Sequence, residues 1–376
     1  LRKRLFNSSS AVFSSRTLIV IASWLYYAGE LNPKTCSTVP HSCRKHPNPE
    51  KLKTMDALSE VLKIIKLRGA LFFNAEFSAP WGVASSPSSQ VAPLLCPGAG
   101  HVIIYHYLID GRAYAQLPDR SRRDLGPGDV VIFPHGDAHV LGNGLCKPAD
   151  SLRTFAKNLS NGLKVARYCS GGELTKFVCG YMACDPSLSD VVLAGLPSMF
   201  VVNIANDSEG QWLANSIQFS VCKAGGPGTG SDVVLAKLSE VLFVETLRRF
   251  IQDLPDQQKG WLAGARDPVI GEALALLHKS PAHPWTIANL ARHVGVSRTR
   301  FAERFRHFLG EPPMAYLARW RLKLAAETLV SSDANVAEVA AEVGYASEAA
   351  FNRVFKREFG CPPAQFRRSH NAPKKK

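Results

Sequence analysis

At 376 residues, with 46% apolar and 20% charged side chains and a mean hydropathy of −0.05, the chain has the make-up of a soluble globular protein with room for two domains, which excludes a membrane or a disordered protein. The net charge of +14 is uneven: residues 1–54 carry +7, residues 55–280 carry −1 and residues 281–376 carry +8. A neutral middle joined to a basic C-terminal part suggests a sensor or assembly module attached to one that binds a polyanion, although a solvated basic surface has the same composition.

The nine cysteines (Cys36, Cys43, Cys96, Cys146, Cys169, Cys179, Cys184, Cys222 and Cys361) are odd in number, irregularly spaced and without a Cys-x-x-Cys pair. They read as reduced thiols of a cytoplasmic protein rather than a disulfide framework. Residues 1–54 open on Arg2-Lys3-Arg4 and an apolar run from Leu18 to Ala28, then pass into a stretch rich in Pro, Ser, His and Lys. The run is too short to span a bilayer, where roughly 20 residues are needed. An export signal would be incompatible with the rest of the chain, so residues 1–54 are expected to be an artefactual or dispensable leader, with an amphipathic start at Met55.

From Leu71 to about Val202, short runs alternate apolar and polar residues between Gly and Pro, as in Val102–Leu108, Ala113–Leu117 and Val130–Phe133. That pattern predicts a β-sandwich or barrel. Within it, Gly128, Pro134, Gly136, His139 and Asn143 are spaced to turn the chain into a strand, out of it and back, with His139 pointing inward. His106, His135 and His101 are further ring nitrogens in reach of that interior, either as ordinary hydrogen-bonded histidines or as part of a metal site, which takes three or four ligands. Ala224 to Gly230 has flexible-linker composition. After it, Asp232 to Gln252 carries a wide apolar face (Leu235, Leu238, Val241, Leu242, Phe243, Leu247, Phe250, Ile251) with Arg248 and Arg249 opposite, suited to packing on the sheet or on a second subunit.

The C-terminal part repeats itself. Ile287 to Gly310 and Val336 to Gly360 align at an offset of 49 before an internal turn and 50 after it, and each ends in Gly-x-Pro-Pro. In both copies a short helix ends at a glycine (Gly295, Gly344), a serine (Ser297, Ser347) caps a second helix, and two phenylalanines four apart (Phe301 and Phe305, Phe351 and Phe355) share its buried face. Ala291 and Ala340 are small enough for the two helices to cross closely. This is a helix-turn-helix, twice, joined by a helix from Pro313 to Leu329 with Leu317, Trp320 and Leu324 at helical spacing. Steps of 100° then place Thr299, Ala302, Glu303, Arg306 and His307 outward in the first copy, and Ala349, Asn352, Arg353, Lys356 and Arg357 in the second. Arg298, Thr299, Glu303, Arg306, Glu348, Asn352, Arg353 and Lys356 are therefore the candidate DNA-binding residues, with Arg and Asn able to pair bidentately with base edges and Arg298, Arg300 and Lys356 able to hold phosphates.

Two resemblances follow. Residues 268–370 resemble the DNA-binding domain of the AraC/XylS family of transcription regulators, most specifically at Gly344-Tyr345, Phe351, Phe355-Lys356 and Phe359-Gly360. The Gly128 to Asn143 stretch is similar to the second motif of the cupin fold, while the first is degraded: Tyr105-His106-Tyr107 has a single His, and Gly111 stands near where a Glu belongs. The missing carboxylate argues against dioxygenase-type chemistry, and no enzyme activity, metal or cofactor is expected. Ala79-Pro80-Trp81-Gly82, Pro134 to His139, Phe177 to Tyr181, Gly260 to Ala263 and Arg266-Asp267-Pro268 resemble the cupin-containing branch of that family. The resemblance implies an α+β chain divided into a cupin-like sensor barrel (55–202), linker or dimerisation helices (203–265) and an all-α tandem helix-turn-helix domain (266–372). It further implies promoter DNA and RNA polymerase as partners, a homodimer, and a small-molecule or oxidant effector sensed near His106, His135, His139 and Cys179. Cys169 and Cys184 are further thiol candidates, and reactivity would require a low pKa and exposure.

Overall fold

The computed structural model describes residues 56–65, 67–96, 99–144, 149–150, 166–168, 171–224 and 231–371. The expected leader, the glycine-rich linker at 225–230 and Cys36, Cys43, Cys146 and Cys169 lie outside them.

Helix α1 (Ala57–Ile65) opens the described chain. Strands β1 (Arg68–Ser78), β2 (Trp81–Ser85), β3 (His101–Asp110), β4 (Ala113–Gln116), β5 (Arg122–Leu125), β6 (Asp129–Phe133), β7 (His139–Asn143), β8 (Ala149–Asp150), β9 (Ala166–Tyr168), β10 (Leu174–Cys184) and β11 (Phe200–Asn203) follow, with α2 (Ser88–Leu95) and α3 (Pro186–Leu193) between them. They form a six-stranded sheet, in the order β11-β6-β3-β10-β1-β9, and a five-stranded one, β5-β4-β7-β2-β8. The expected barrel is thus two facing sheets. Phe77, Leu108, Val131, Phe133, Phe177 and Cys179 from one and Trp81, Ala113, Ala115, Leu125 and Leu141 from the other close a common interior. The larger sheet is covered on its other face too, by α5 (Ser231–Gln252), which packs along β1. That double covering is why β3 reads as a continuous apolar run, with residues 102–108 all buried.

Most of the apolar stripe expected on α5 is spent within the chain, while Val241 is exposed. Leu235, Leu242, Phe243, Leu247 and Ile251 are buried together with Ser239 and Thr246, and Ser239 Oγ hydrogen-bonds Tyr105 in the sheet. Arg249 does not face free solvent: Nη1 lies 2.8 Å from Asp207 and Nε 2.6 Å from Glu245. A second helix within the expected linker region, α4 (Ser208–Ala224), packs beside α5.

The C-terminal part consists of α6 (Trp261–Arg266), α7 (Pro268–Lys279), α8 (Ile287–His293), α9 (Arg298–Leu309), α10 (Pro313–Ser331), α11 (Val336–Glu342), α12 (Glu348–Phe359) and α13 (Pro363–Asn371). The long helix α10 serves both repeats. Its first half gives Tyr316, Leu317 and Trp320 to the cluster holding Leu290, Ala291, Phe301 and Phe305. Its second half gives Leu322, Ala325, Ala326 and Leu329 to a separate cluster with Val339, Ala340, Phe351 and Phe355. Several contacts among the described residues join this part to what precedes it: α1 packs on α7, α3 and α5 each touch α6, and α10 packs on α3, where Lys323 Nζ lies 3.1 Å from Asp190.

Candidate nucleic-acid interface

In each repeat the first helix opens with a reciprocal capping box, Thr286 with Asn289 and Asn335 with Glu338. These caps satisfy amide groups that a seven-residue helix would otherwise leave bare. The chain then turns through Gly295 (φ 69°) and Gly344 (φ 84°). Ser297 and Ser347 accept from the amides of Arg300 and Ala350 and start α9 and α12. Phe301, Phe305, Phe351 and Phe355 are fully buried, with ring centroids 5.8 Å and 5.4 Å apart within the two pairs. Burying the same face twice leaves the same opposite face outward twice.

On that outward face, Arg298, Thr299, Glu303 and Arg306 of α9 and Glu348, Arg353 and Lys356 of α12 are all exposed. Asn352 is half-buried; its Nδ2 reaches Glu348 Oε1 at 3.4 Å while Oδ1 has no partner. The first turn of α9 contains Arg298 and Arg300 and no acid. Positive side chains there oppose the positive end of the helix dipole, whereas Glu348 at the start of α12 suits it. The inner side of α9 is held by Arg304, whose Nε lies 3.0 Å and 3.1 Å from the two oxygens of Asp267. Asp267 also caps α7 by accepting from Val269 and Ile270, and these partners outweigh its partial burial to hold the carboxyl below its usual range.

The ring nitrogens and thiol expected in the sheet domain separate into two groups. The β3–β10 register sets His106 opposite Cys179. His106 Nδ1 lies 2.7 Å from Cys179 Sγ and its Nε2 2.8 Å from His139 Nε2, while His139 Nδ1 lies 2.8 Å from the Asp137 carbonyl. A carbonyl only accepts, so a neutral His139 carries its proton on Nδ1. Its Nε2 then accepts from His106 Nε2–H, and His106 Nδ1 accepts from the Cys179 thiol. Burial holds both rings neutral, lowering His106 well below its ordinary value and His139 to about 4, and it pushes the Cys179 thiol up. His106 uses opposite nitrogens for its two contacts, so the three side chains form a line rather than converging on one point. Among the described residues no group of three His, Cys, Asp or Glu is placed to hold a metal ion.

His135 does not join this line, contrary to the expected grouping. It stands exposed between buried Pro134 and Gly136, and its Nε2 bonds the Leu196 carbonyl at 3.0 Å. His101 is likewise taken up by the Pro134 carbonyl at 2.7 Å. Both line a cavity of about 660 Å3 bounded by α2 and the turns at 117–119 and 135–138, together with Ser88, Asp119 and Asp137.

Residues 56–252 match the family model described as Cupin, and residues 290–369 match the helix-turn-helix domain model. The regulator AlkR of Acinetobacter baylyi is 30% identical over 320 residues, covering 83% of this chain and 99% of AlkR. The chain belongs to the AraC-like transcription regulators. The RCS-specific activator RclR of Escherichia coli is 28% identical, over 83% of this chain and 97% of that protein. Among solved structures, the DNA-binding domain of AdpA in complex with a target DNA shares 31% identity, covers 29% of this chain and 96% of that one, and has a TM-score of 0.28. As its relatives are, this AraC-like protein is a DNA-binding transcription regulator and not an enzyme. No helix among its described residues is long and apolar enough to cross a membrane.

Several residues that shape the regulator's interface escaped the sequence reading. Arg321 of α10 donates to the carbonyls of Pro281 (2.7 Å), His283 (2.9 Å) and Gly344 (3.3 Å), tying the segment before the first repeat to the turn of the second. Arg367 of α13 similarly bonds the carbonyls of Leu329, at 2.9 Å, and Ala334. An arginine at the edge of an apolar helix carries no signal for which carbonyls it meets 40 residues away.

Proposed function

We propose that α9 and α12 are both recognition helices, reading adjacent major-groove segments about 34 Å apart on one face of promoter DNA. The observation that carries this reading is the duplication: two units with the same caps, the same buried phenylalanine pairs and the same exposed face on one shared helix. Arg298 and Arg300 suit phosphates, which relieve their opposition to the dipole of α9. Asn352 and Arg353 suit base edges, Arg306 adds a third cation for the first segment, and Lys356 suits a phosphate or a guanine. Thr299, Glu303 and Glu348 complete the two reading faces.

The same reading makes the cupin domain a sensor and the working form a homodimer that recruits or blocks RNA polymerase. A small-molecule effector is favoured over an oxidant acting at Cys179, because thiol attack needs a thiolate and burial keeps this one protonated. The cavity beside His101, His135 and Asp137 has the size of a small-ligand site. Its Asp137 also holds His139 through the backbone, which links a bound ligand to the buried line of His106, His139 and Cys179.

The test is DNA pull-down sequencing at near-physiological salt with protein starting at Met55, followed by Arg353→Ala on the recovered site. A shared motif with two elements one helical turn apart is expected, and the substitution should cost about 1–3 kcal/mol and relax preference in one element only. Enrichment without a motif would refute sequence-specific reading, and equal loss on all sequences would move Arg353 to a phosphate.

A further inference from the structure

Helix α4 is apolar on two sides. Gly210, Leu213, Ala214, Ile217 and Val221 are buried against the body of the domain. On the other side Trp212 is 65% exposed and Phe219 61%, far more than single aromatic side chains usually show in a finished surface. These two belong to a stripe: Glu209, Trp212, Ser216, Phe219 and Lys223 recur at steps of three, four, three and four residues, which is the heptad spacing of a helix–helix seam. The neighbouring α5 adds exposed Val233, Val234 and Val241.

We propose that this stripe is the contact between two copies of the chain, with α4 packed antiparallel on α4 of its partner about a two-fold axis at Ser216. Self-complementarity carries the choice of occupant. Glu209 and Lys223 stand seven residues on either side of Ser216, about 10 Å each way along the helix, so a two-fold axis there sets Glu209 of one copy against Lys223 of the other, twice. The midpoint of Trp212 and Phe219 falls half a residue from the same place, so each copy's Trp212 comes beside the other's Phe219. Ser216 offers little bulk at the crossing, and its hydroxyl is already bonded to the Trp212 carbonyl at 2.8 Å. The present partners of the two charges are weak ones. Glu209 meets Arg248 at 3.3 Å with 78% of its side chain exposed, and Lys223 lies 4.4 Å over the Phe219 ring. A parallel pairing would set Glu209 on Glu209 and Lys223 on Lys223.

This inference rests on the homodimer reading above and supplies its surface. The test is sedimentation equilibrium of the full chain without DNA. The wild type should dimerise. Glu209→Lys and Lys223→Glu should each weaken the dimer about tenfold, since each pair occurs twice, and the two together should restore it. Trp212→Ser with Phe219→Ser should abolish the dimer and leave the far-UV circular dichroism of the folded chain unchanged, as both side chains are exposed in the single chain. A wild type that stays monomeric at its highest soluble concentration overturns the proposal and gives the stripe to another segment or to RNA polymerase. A dimer indifferent to all four changes, or single reversals that the double fails to rescue, overturns it equally. A monomer that still recognises both DNA elements would leave the DNA reading intact while refuting the dimer.

Discussion

Gly344→Ala is expected to destabilise the second helix-turn-helix unit by about 3 kcal/mol or more, and Gly295→Ala, at the matching position of the first, by only about 1–2 kcal/mol. The sequence makes the two glycines equivalent, and their backbones agree, with φ of 84° and 69°. Their surroundings differ. A Cβ at Gly295 meets nothing within 4 Å, so the cost is the left-handed backbone alone. A Cβ at Gly344 would stand 2.6 Å from the Ala282 carbonyl oxygen and 2.8 Å from Ala282 Cα. Those are backbone atoms of a segment that Arg321 holds through Pro281 and His283, so they cannot swing aside as a side-chain tip would. Either the turn moves or the segment does, and in both cases the angle between the repeats changes. Urea unfolding of the two variants measures the costs, and their binding to one DNA element and to two shows the consequence. Gly344→Ala should keep single-element binding through the first unit and lose most of the gain from the second. Equal costs at the two positions would mean that the Ala282 contact has no energetic weight.

That asymmetry marks the limit of what the sequence disclosed. Each repeat was legible because it solves a local problem within about 25 residues: cap a short helix, turn at a glycine, cap a second helix, bury a phenylalanine pair. All of those signals have fixed offsets. The strands were legible from short apolar runs between turn residues, alternating in β4 and continuous in the doubly covered β3. The destination of an apolar stripe has no offset. Leu235, Leu242 and Leu247 announce burial, but nothing in their spacing distinguishes the sheet, where they lie, from a partner subunit. Likewise His106 finds Cys179 through strand pairing 73 residues apart, and His135 is drawn to a carbonyl at Leu196 rather than to the other histidines. Arg304 and Arg321 carry no local signal for their acceptors, which lie 37 and 40 residues away.

The larger consequence is that the two modules share a core. Ala57, Leu58, Val61 and Ile65 of α1 belong to the same buried cluster as Ile270, Leu274 and Leu277 of α7, although α1 precedes the sheet domain and α7 opens the DNA-binding one. A chain whose first described helix is built into its last domain has a direct route from the sheet to the recognition helices. Contacts of this kind are where a binding event in one module can bias the other, provided the two have different affinities for the ligand.

Acid should reveal the buried histidines. Burial lowers His139 to about 4, with the Asp137 contacts only partly opposing it, and lowers His278, enclosed by Trp261, Tyr316 and Trp320, to about 3. In the unfolded chain both return to about 6.5. Between these values the unfolded state binds the proton and the folded state does not, so stability rises with pH across the window. It is complete above about 6.5 and is lost as pH falls toward 4. Each histidine then contributes a slope of about 1.4 kcal/mol per pH unit, and His139 alone about 3 kcal/mol over the window. Asp267 acts in the same direction but lower: its depressed carboxyl adds stability that is present above about 4 and lost only below it. The two effects therefore separate on the pH axis. Unfolding free energies measured from pH 7 to pH 4.5 should fall steeply, and His139→Gln, which can keep one bond to the Asp137 carbonyl, should shallow the slope by about one proton whatever it does to the absolute stability. An unchanged slope in that variant would show that His139 is charged in the folded protein, and with it the proton order along His106 and Cys179 would have to be reversed.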